Sequence, residues 1–277
     1  ETFVPVATRA SVPASAAEWT KQHEAWMAAL KERVFAGWPE ESAPLELKEH
    51  LDIDRNGIRF RIYDFVSQPG IPLRLYLLQP KRLKQPERIV LSVLDDAGWD
   101  EWIAGMTHAF ANELGEERRV QSPDLARSPD RNVSERIPAS LDSIQQSLQR
   151  TNNWAMAFVA PRGVGLTQWR GDAKKQAQIR RRFMLLGQTL EGMRVWDVRR
   201  AVQAVRSIRD FRDAPLWLQA EGPSGVNALY ASLFESNIAG LELFSLPESH
   251  RDGPDYLNIL RVADIPQAAA MAKGGQK

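Results

Sequence analysis

Trp19, His23, Trp26, Leu30 and Val34 recur at the intervals of an α-helix, so the chain opens with a helix carrying one apolar face. Ser15-Ala-Ala-Glu18 ahead of it is a capping box, and Gly37-Trp38-Pro39 stops it. The period then shortens to two. Segments 45–51, 57–65 and 71–78 read as strands, the last two joined by a turn at Ser67-Gln68-Pro69-Gly70. Arg59, Arg61 and Asp64 alternate with Ile58, Phe60, Ile62 and Phe65, which predicts an antiparallel pair with one wet face.

Further on, the strands lose their alternation. Segments 88–94, 153–160, 215–219 and 238–246 are more continuously apolar, as expected of central strands covered on both faces. Helical patterns separate them: one running to Leu114 after a loop at Asp95–Trp99, a short one at 141–148, one at 174–186, one after Gly192 and one ending at Phe234. Tyr256 to Met271 reads as partly helical. Strands alternating with helices predict an α/β fold with a mostly parallel sheet, entered through antiparallel N-terminal strands. The expected organisation is an N-terminal helical segment over 1–43 and one domain over 44–277. Residues 116–138, charged and aperiodic, form a surface loop or insertion in it.

Composition narrows the chemistry. The 277 residues carry 36 Lys and Arg against 35 Asp and Glu, which gives no general attraction for nucleic acid or anionic lipid. No run is long enough for a membrane helix, and the chain is expected to be soluble. There is no cysteine, and the four histidines form no metal-ligand spacing, so no disulfide, thiolate site, metal or cofactor is expected. The chain begins Glu-Thr-Phe, which suggests a removed leader or upstream segment; a periplasmic or secreted setting is preferred over the cytoplasm, though the compartment stays open. The stretch 170–212 holds 12 Lys and Arg with four Asp and Glu, and Arg180-Arg181-Arg182 precedes Phe183-Met184-Leu185-Leu186. Opposite an apolar stripe such cations read as a solvated face.

The sharpest chemical feature is the strand, turn and helix across 216–234. Gly222-Pro223-Ser224-Gly225-Val226 follows the strand as a Gly-x-Ser turn, with Val226 where a second elbow glycine would stand. Ser224 is therefore either a nucleophile or a helix cap. Ser249-His250-Arg251-Asp252-Gly253-Pro254-Asp255 supplies the only histidine after Ser224, with Asp252 and Asp255 beside it. His250 could act as base and an aspartate could orient it. Arg162-Gly163-Val164-Gly165 also follows a strand but lacks the remainder of a phosphate-binding loop.

Several segments resemble the acetyl xylan esterase and cephalosporin deacetylase branch of the α/β-hydrolases, and especially one domain of tandem-domain bacterial members of planctomycete type. They are Trp154–Gly165, Arg181–Leu190, Trp196–Ala201 and Leu246–Asp255. The resemblance implies an α/β-hydrolase sheet, Ser224 at the nucleophile position, Gly222 and Gly225 in the turn, and Asp96 and Gly98 in the oxyanion-hole loop. It implies a small acyl ester or acetylated carbohydrate as substrate, with a twin hydrolase domain or a homo-oligomer as partner. Three departures accompany it: Val226 stands in place of the second elbow glycine, carboxylates at Asp95 and Asp96 would oppose a developing oxyanion, and the strands that would carry a later acid and histidine are not in the sequence. Two functions follow as expectations: a carboxylesterase with a degenerate or incomplete triad, or a catalytically silent hydrolase-fold domain. In the silent reading the domain is structural, assembles with a partner, or binds carbohydrate by stacking on Trp99, Trp102, Trp154, Trp169, Trp196 or Trp217.

Overall fold

The computed structural model describes residues 16–39, 43–120, 141–151, 153–169 and 171–274. Ser15 of the capping box and 121–138 of the expected surface loop lie outside them.

Helix α1 (Ala16–Ala29) runs into a π-type turn at Leu30–Val34. The sheet is built from β1 (Lys48–Arg55), β2 (Ile58–Gln68), β3 (Ile71–Pro80), β4 (Arg88–Val93), β5 (Trp154–Val159), β6 (Leu216–Glu221) and β7 (Ile238–Phe244). Its order is β1-β2-β3-β5-β4-β6-β7. The first three strands are antiparallel neighbours, and β3 joins β5 antiparallel through Leu75↔Val159. From β5 onward every pairing is parallel. This is the α/β architecture that the alternation of elements predicts.

Strand periodicity assigns the two faces. Leu75, Leu77, Leu91, Ala157 and Leu218 meet α6 (Leu190–Ser207), α7 (Gly222–Phe234) and α8 (Ile265–Gly274) in one core. Phe60, Ile62, Tyr76 and Phe158 meet α2 (Asp96–Phe110) and α4 (Leu141–Thr151) in the other. The remaining helices are α3 (Gly115–Arg119) and α5 (Ala173–Leu185).

Several expectations need correction. The first strand begins at Lys48 rather than Leu45. Only Leu94 and Asp95 separate β4 from its helix, with Asp95 the N-cap of α2 and 96–99 already helical. The turn after β6 is the first turn of α7 itself. The β2 face is not wet throughout, since Arg61 is 3% exposed. It donates to Gln79 Oε1 at 2.6 Å and lies over the Phe211 ring at 4.9 Å, while its buried Nε has no hydrogen-bond partner among the described residues.

The cations of α6 likewise are not all a solvated face. Arg199 and Arg200 are each 3% exposed. Arg199 donates to Glu235 at 2.8 Å over the Trp38 ring, and Arg200 donates to the Ala43 carbonyl at 2.7 Å. Tertiary partners turn a basic stripe into interior structure, which spacing alone does not reveal.

Candidate functional site

The chain crosses from β4 outward to β5 and then back across β4 to β6. In an open parallel sheet this reversal leaves a crevice at the carboxyl ends of the strands. Four segments converge there: Asp95–Gly98 after β4, Arg162–Gly165 after β5, Gly222–Gly225 after β6 and Ser245 after β7. Every turn singled out in the sequence thus lies at one end of the sheet.

At the β6–α7 junction the residue in the left-handed region is Gly222, at φ +55°. A Cβ there would meet no atom within 4 Å, so the place is open and glycine is required by conformation, not crowding. Ser224 lies two residues further on, inside the first turn of α7, and is 5% exposed. Gly225 packs under Leu246, whose Cδ2 would stand 2.5 Å from an added Cβ. Val226 is fully buried in the core.

After β4, the Asp95 carboxylate accepts the N–H of Gly98 at 2.8 Å. The helix N-terminus that would face a developing oxyanion therefore already holds a carboxylate. Asp96 stands beside it, with its carboxyl raised above the ordinary value. Desolvation is the largest cause; Arg194 opposes it, and Asp95 and Glu191 push the same way as desolvation.

His250 does not approach Ser224 by any hydrogen bond among the described residues. Its Nδ1 lies 2.9 Å from the Pro254 carbonyl, which can only accept, so neutral His250 carries its proton on Nδ1. Nε2, 2.9 Å away, then accepts from the Tyr230 hydroxyl. Both ring nitrogens are occupied, and burial holds the imidazole below its ordinary pKa against the opposing pull of Pro254, Asp264 and Asp255. Asp252 and Asp255 are exposed and reach neither nitrogen.

The carboxylate that organises this loop is Asp264. It accepts from the His250 N–H at 2.8 Å and the Ser249 hydroxyl at 2.7 Å. Burial works to raise this carboxyl, but the bonds from His250, Ser249 and Ile265 overcome it and hold the group below its ordinary value. Asp264-Ile-Pro-Gln267 has the spacing of a capping box, of which one half forms: Gln267 accepts from the Asp264 N–H, while the Asp264 carboxylate accepts from the Ile265 N–H. That signal was readable in the sequence.

Sequence reasoning also missed a polar chain across the mouth. Arg194 donates to the Arg162 carbonyl and to Glu191, Asn227 donates to Glu191 at 2.8 Å, and Tyr256 donates to Asn227 at 2.5 Å. Beneath it, Arg162 lays its guanidinium on fully buried Asp197, at 2.8 and 2.7 Å. Arg194 and Glu191 are an i,i+3 pair on α6, but no local pattern announces the other contacts, because their members come from different elements.

Of the tryptophans proposed for stacking, Trp99, Trp102 and Trp196 are core residues, at most 2% exposed. Trp154 and Trp217 clamp Arg88 between them, with its guanidinium 4.1 and 3.9 Å from the ring centroids. Trp169 packs on Phe183. Among the described residues no group of three or more His, Asp or Glu could hold a metal ion, and no helix is long and apolar enough to cross a membrane.

No protein-family model matches the sequence, and no curated protein does. Solved structures do. A provisionally assigned acetyl xylan esterase from Bacteroides fragilis superimposes with a TM-score of 0.54 at 12% identity, over 85% of this chain and 55% of its own. A glucuronoyl esterase from Solibacter usitatus gives 0.52 at 16% identity, over 87% and 64%. The chain thus spans less than two thirds of the length of either. Its fold is that of the α/β-hydrolases, in the form shared with acetyl xylan and glucuronoyl esterases.

Proposed function

We propose that this chain is a hydrolase-fold domain of esterase type without a working serine nucleophile of its own, serving as a structural or assembly partner. The observation that carries the reading is the identity of the elbow residue. In the α/β-hydrolase elbow the nucleophile stands on the strained strand-to-helix turn, its side chain exposed above the sheet. Here the left-handed position on that turn is Gly222, which has no side chain to react. Ser224 falls two residues later, buried in the helix.

Two further features support it. His250 has no ring nitrogen free to take a proton from a serine. The Gly98 N–H, an oxyanion-hole candidate, is held by Asp95. An acyl ester or acetylated carbohydrate remains the substrate class for the competing reading, in which Ser224 attacks with His250 as base and Asp252 or Asp255 behind it. That reading requires the 249–255 loop to rearrange.

The test is turnover of p-nitrophenyl acetate together with fluorophosphonate labelling of the folded chain and peptide mapping. Silence in both assays is the expected result. A stoichiometric adduct on Ser224, with activity lost in Ser224→Ala, would overturn the proposal.

A further inference from the structure

Helix α5 stands apart from both cores: it has no buried residue. Lys174, Lys175, Arg180, Arg181 and Arg182 on it form no side-chain hydrogen bond or ion pair with the described residues. At its end Met184, Leu185 and Leu186 are 44, 86 and 75% exposed, and they are the only large hydrophobics exposed among the described residues. Helical spacing sets Lys174, Arg181 and Leu185 along one outward line, and Lys175, Arg182 and Leu186 along the next.

Beside this knob lies a groove of about 440 Å³, with Met184 in one wall and Tyr256, Leu257, Ile259 and Leu260 in the others. The loop leading into it carries Glu248, Asp252 and Asp255, all exposed and without an ion pair among the described residues. Arg251 and Arg261 share this rim, so its acidity is local.

We infer that this face is a twofold contact between two copies of the chain, the Leu185–Leu186 tip of each seated in the groove of the other, with Met184 left in the wall of its own groove. An isologous contact requires one surface to hold both a feature and its complement, and here apolar knob and apolar groove adjoin, as do unpaired cations and unpaired acids. An anionic bilayer would accept the knob and the cations but leave the groove unused and repel the three carboxylates. The inference does not depend on whether Ser224 reacts.

Sedimentation velocity over a range of concentrations tests it. The expected result is a reversible dimer, weakened at least about tenfold by Leu185→Asp, whose exposed site leaves the fold intact by circular dichroism. Arg180→Glu, Arg181→Glu and Arg182→Glu together should weaken it too, and added salt should act in the same direction. A monomer at every concentration would overturn the inference. So would a dimer indifferent to Leu185→Asp, or binding of monomer to phosphatidylglycerol vesicles through the same leucines.

Discussion

His250 accepts the hydroxyl of Tyr230 on Nε2 while its Nδ1–H is spent on the Pro254 carbonyl. The ring is 5% exposed and surrounded by Tyr230 and Tyr256, so protonation would place a charge among aromatic rings and break the bond from Tyr230.

The folded protein should therefore lose stability as pH falls. The folded pKa of His250 lies below its ordinary value of 6.5, so between the two the unfolded chain binds more protons. The contribution is complete above 6.5 and is lost as pH falls toward the folded value. Urea midpoints at about pH 7.5 and about pH 5.5 should differ, and His250→Phe should flatten that difference. An unchanged pH dependence in the variant would exclude His250 as its source. The Asp264 contribution belongs to a separate window, lost only as pH falls below 3.8.

Breaking the Arg162–Asp197 pair should be costly. Asp197 is fully buried and also accepts the Arg162 backbone N–H at 2.8 Å. Arg162→Met leaves an uncompensated carboxylate and should cost about 3–5 kcal/mol in urea denaturation. Arg162→Met with Asp197→Leu should recover part of that loss.

Two glycines at the mouth should respond differently to alanine. Gly222 has φ +55° and open space, so Gly222→Ala should cost about 1–2 kcal/mol from backbone strain alone. Gly165 has φ +56°, and an added Cβ would stand 2.7 Å from the Trp99 ring. Gly165→Ala should cost about 3 kcal/mol or more, with Trp99 fluorescence altered. Equal losses at the two positions would contradict the packing described here.

Asp95→Ala should remove the N-cap of α2 and cost about 1 kcal/mol, read from thermal or urea unfolding. It should confer no esterase activity, because Gly222 still offers no nucleophile.

Much of the fold was legible because hydrophobic periodicity is local. The apolar runs at 88–94 and 153–160 and the alternation in 57–65 place β4, β5 and β2 within a few residues of their observed bounds. The site was only half legible. The turns after β4, β5 and β6 announce themselves by composition, but which residue of Gly222-Pro223-Ser224-Gly225 occupies the strained position depends on where β6 ends. The Gly-x-Ser pattern draws attention to Ser224, whereas the residue in the left-handed region is Gly222. The strand in fact extends through Glu221, and its pairing with β7 through Phe244 sets that end.

By itself, the sequence determines the α/β class, the position of the strands, the absence of thiol chemistry and the clustering of candidate turns, since each follows from residue type and short-range spacing. Only the tertiary structure decides that Arg61, Arg199 and Arg200 are interior, that His250 serves Tyr230 and Pro254, and that Gly222 takes the left-handed position after β6. Those outcomes rest on partners brought together by sheet order and helix packing, whose desolvation and hydrogen bonding no local window contains.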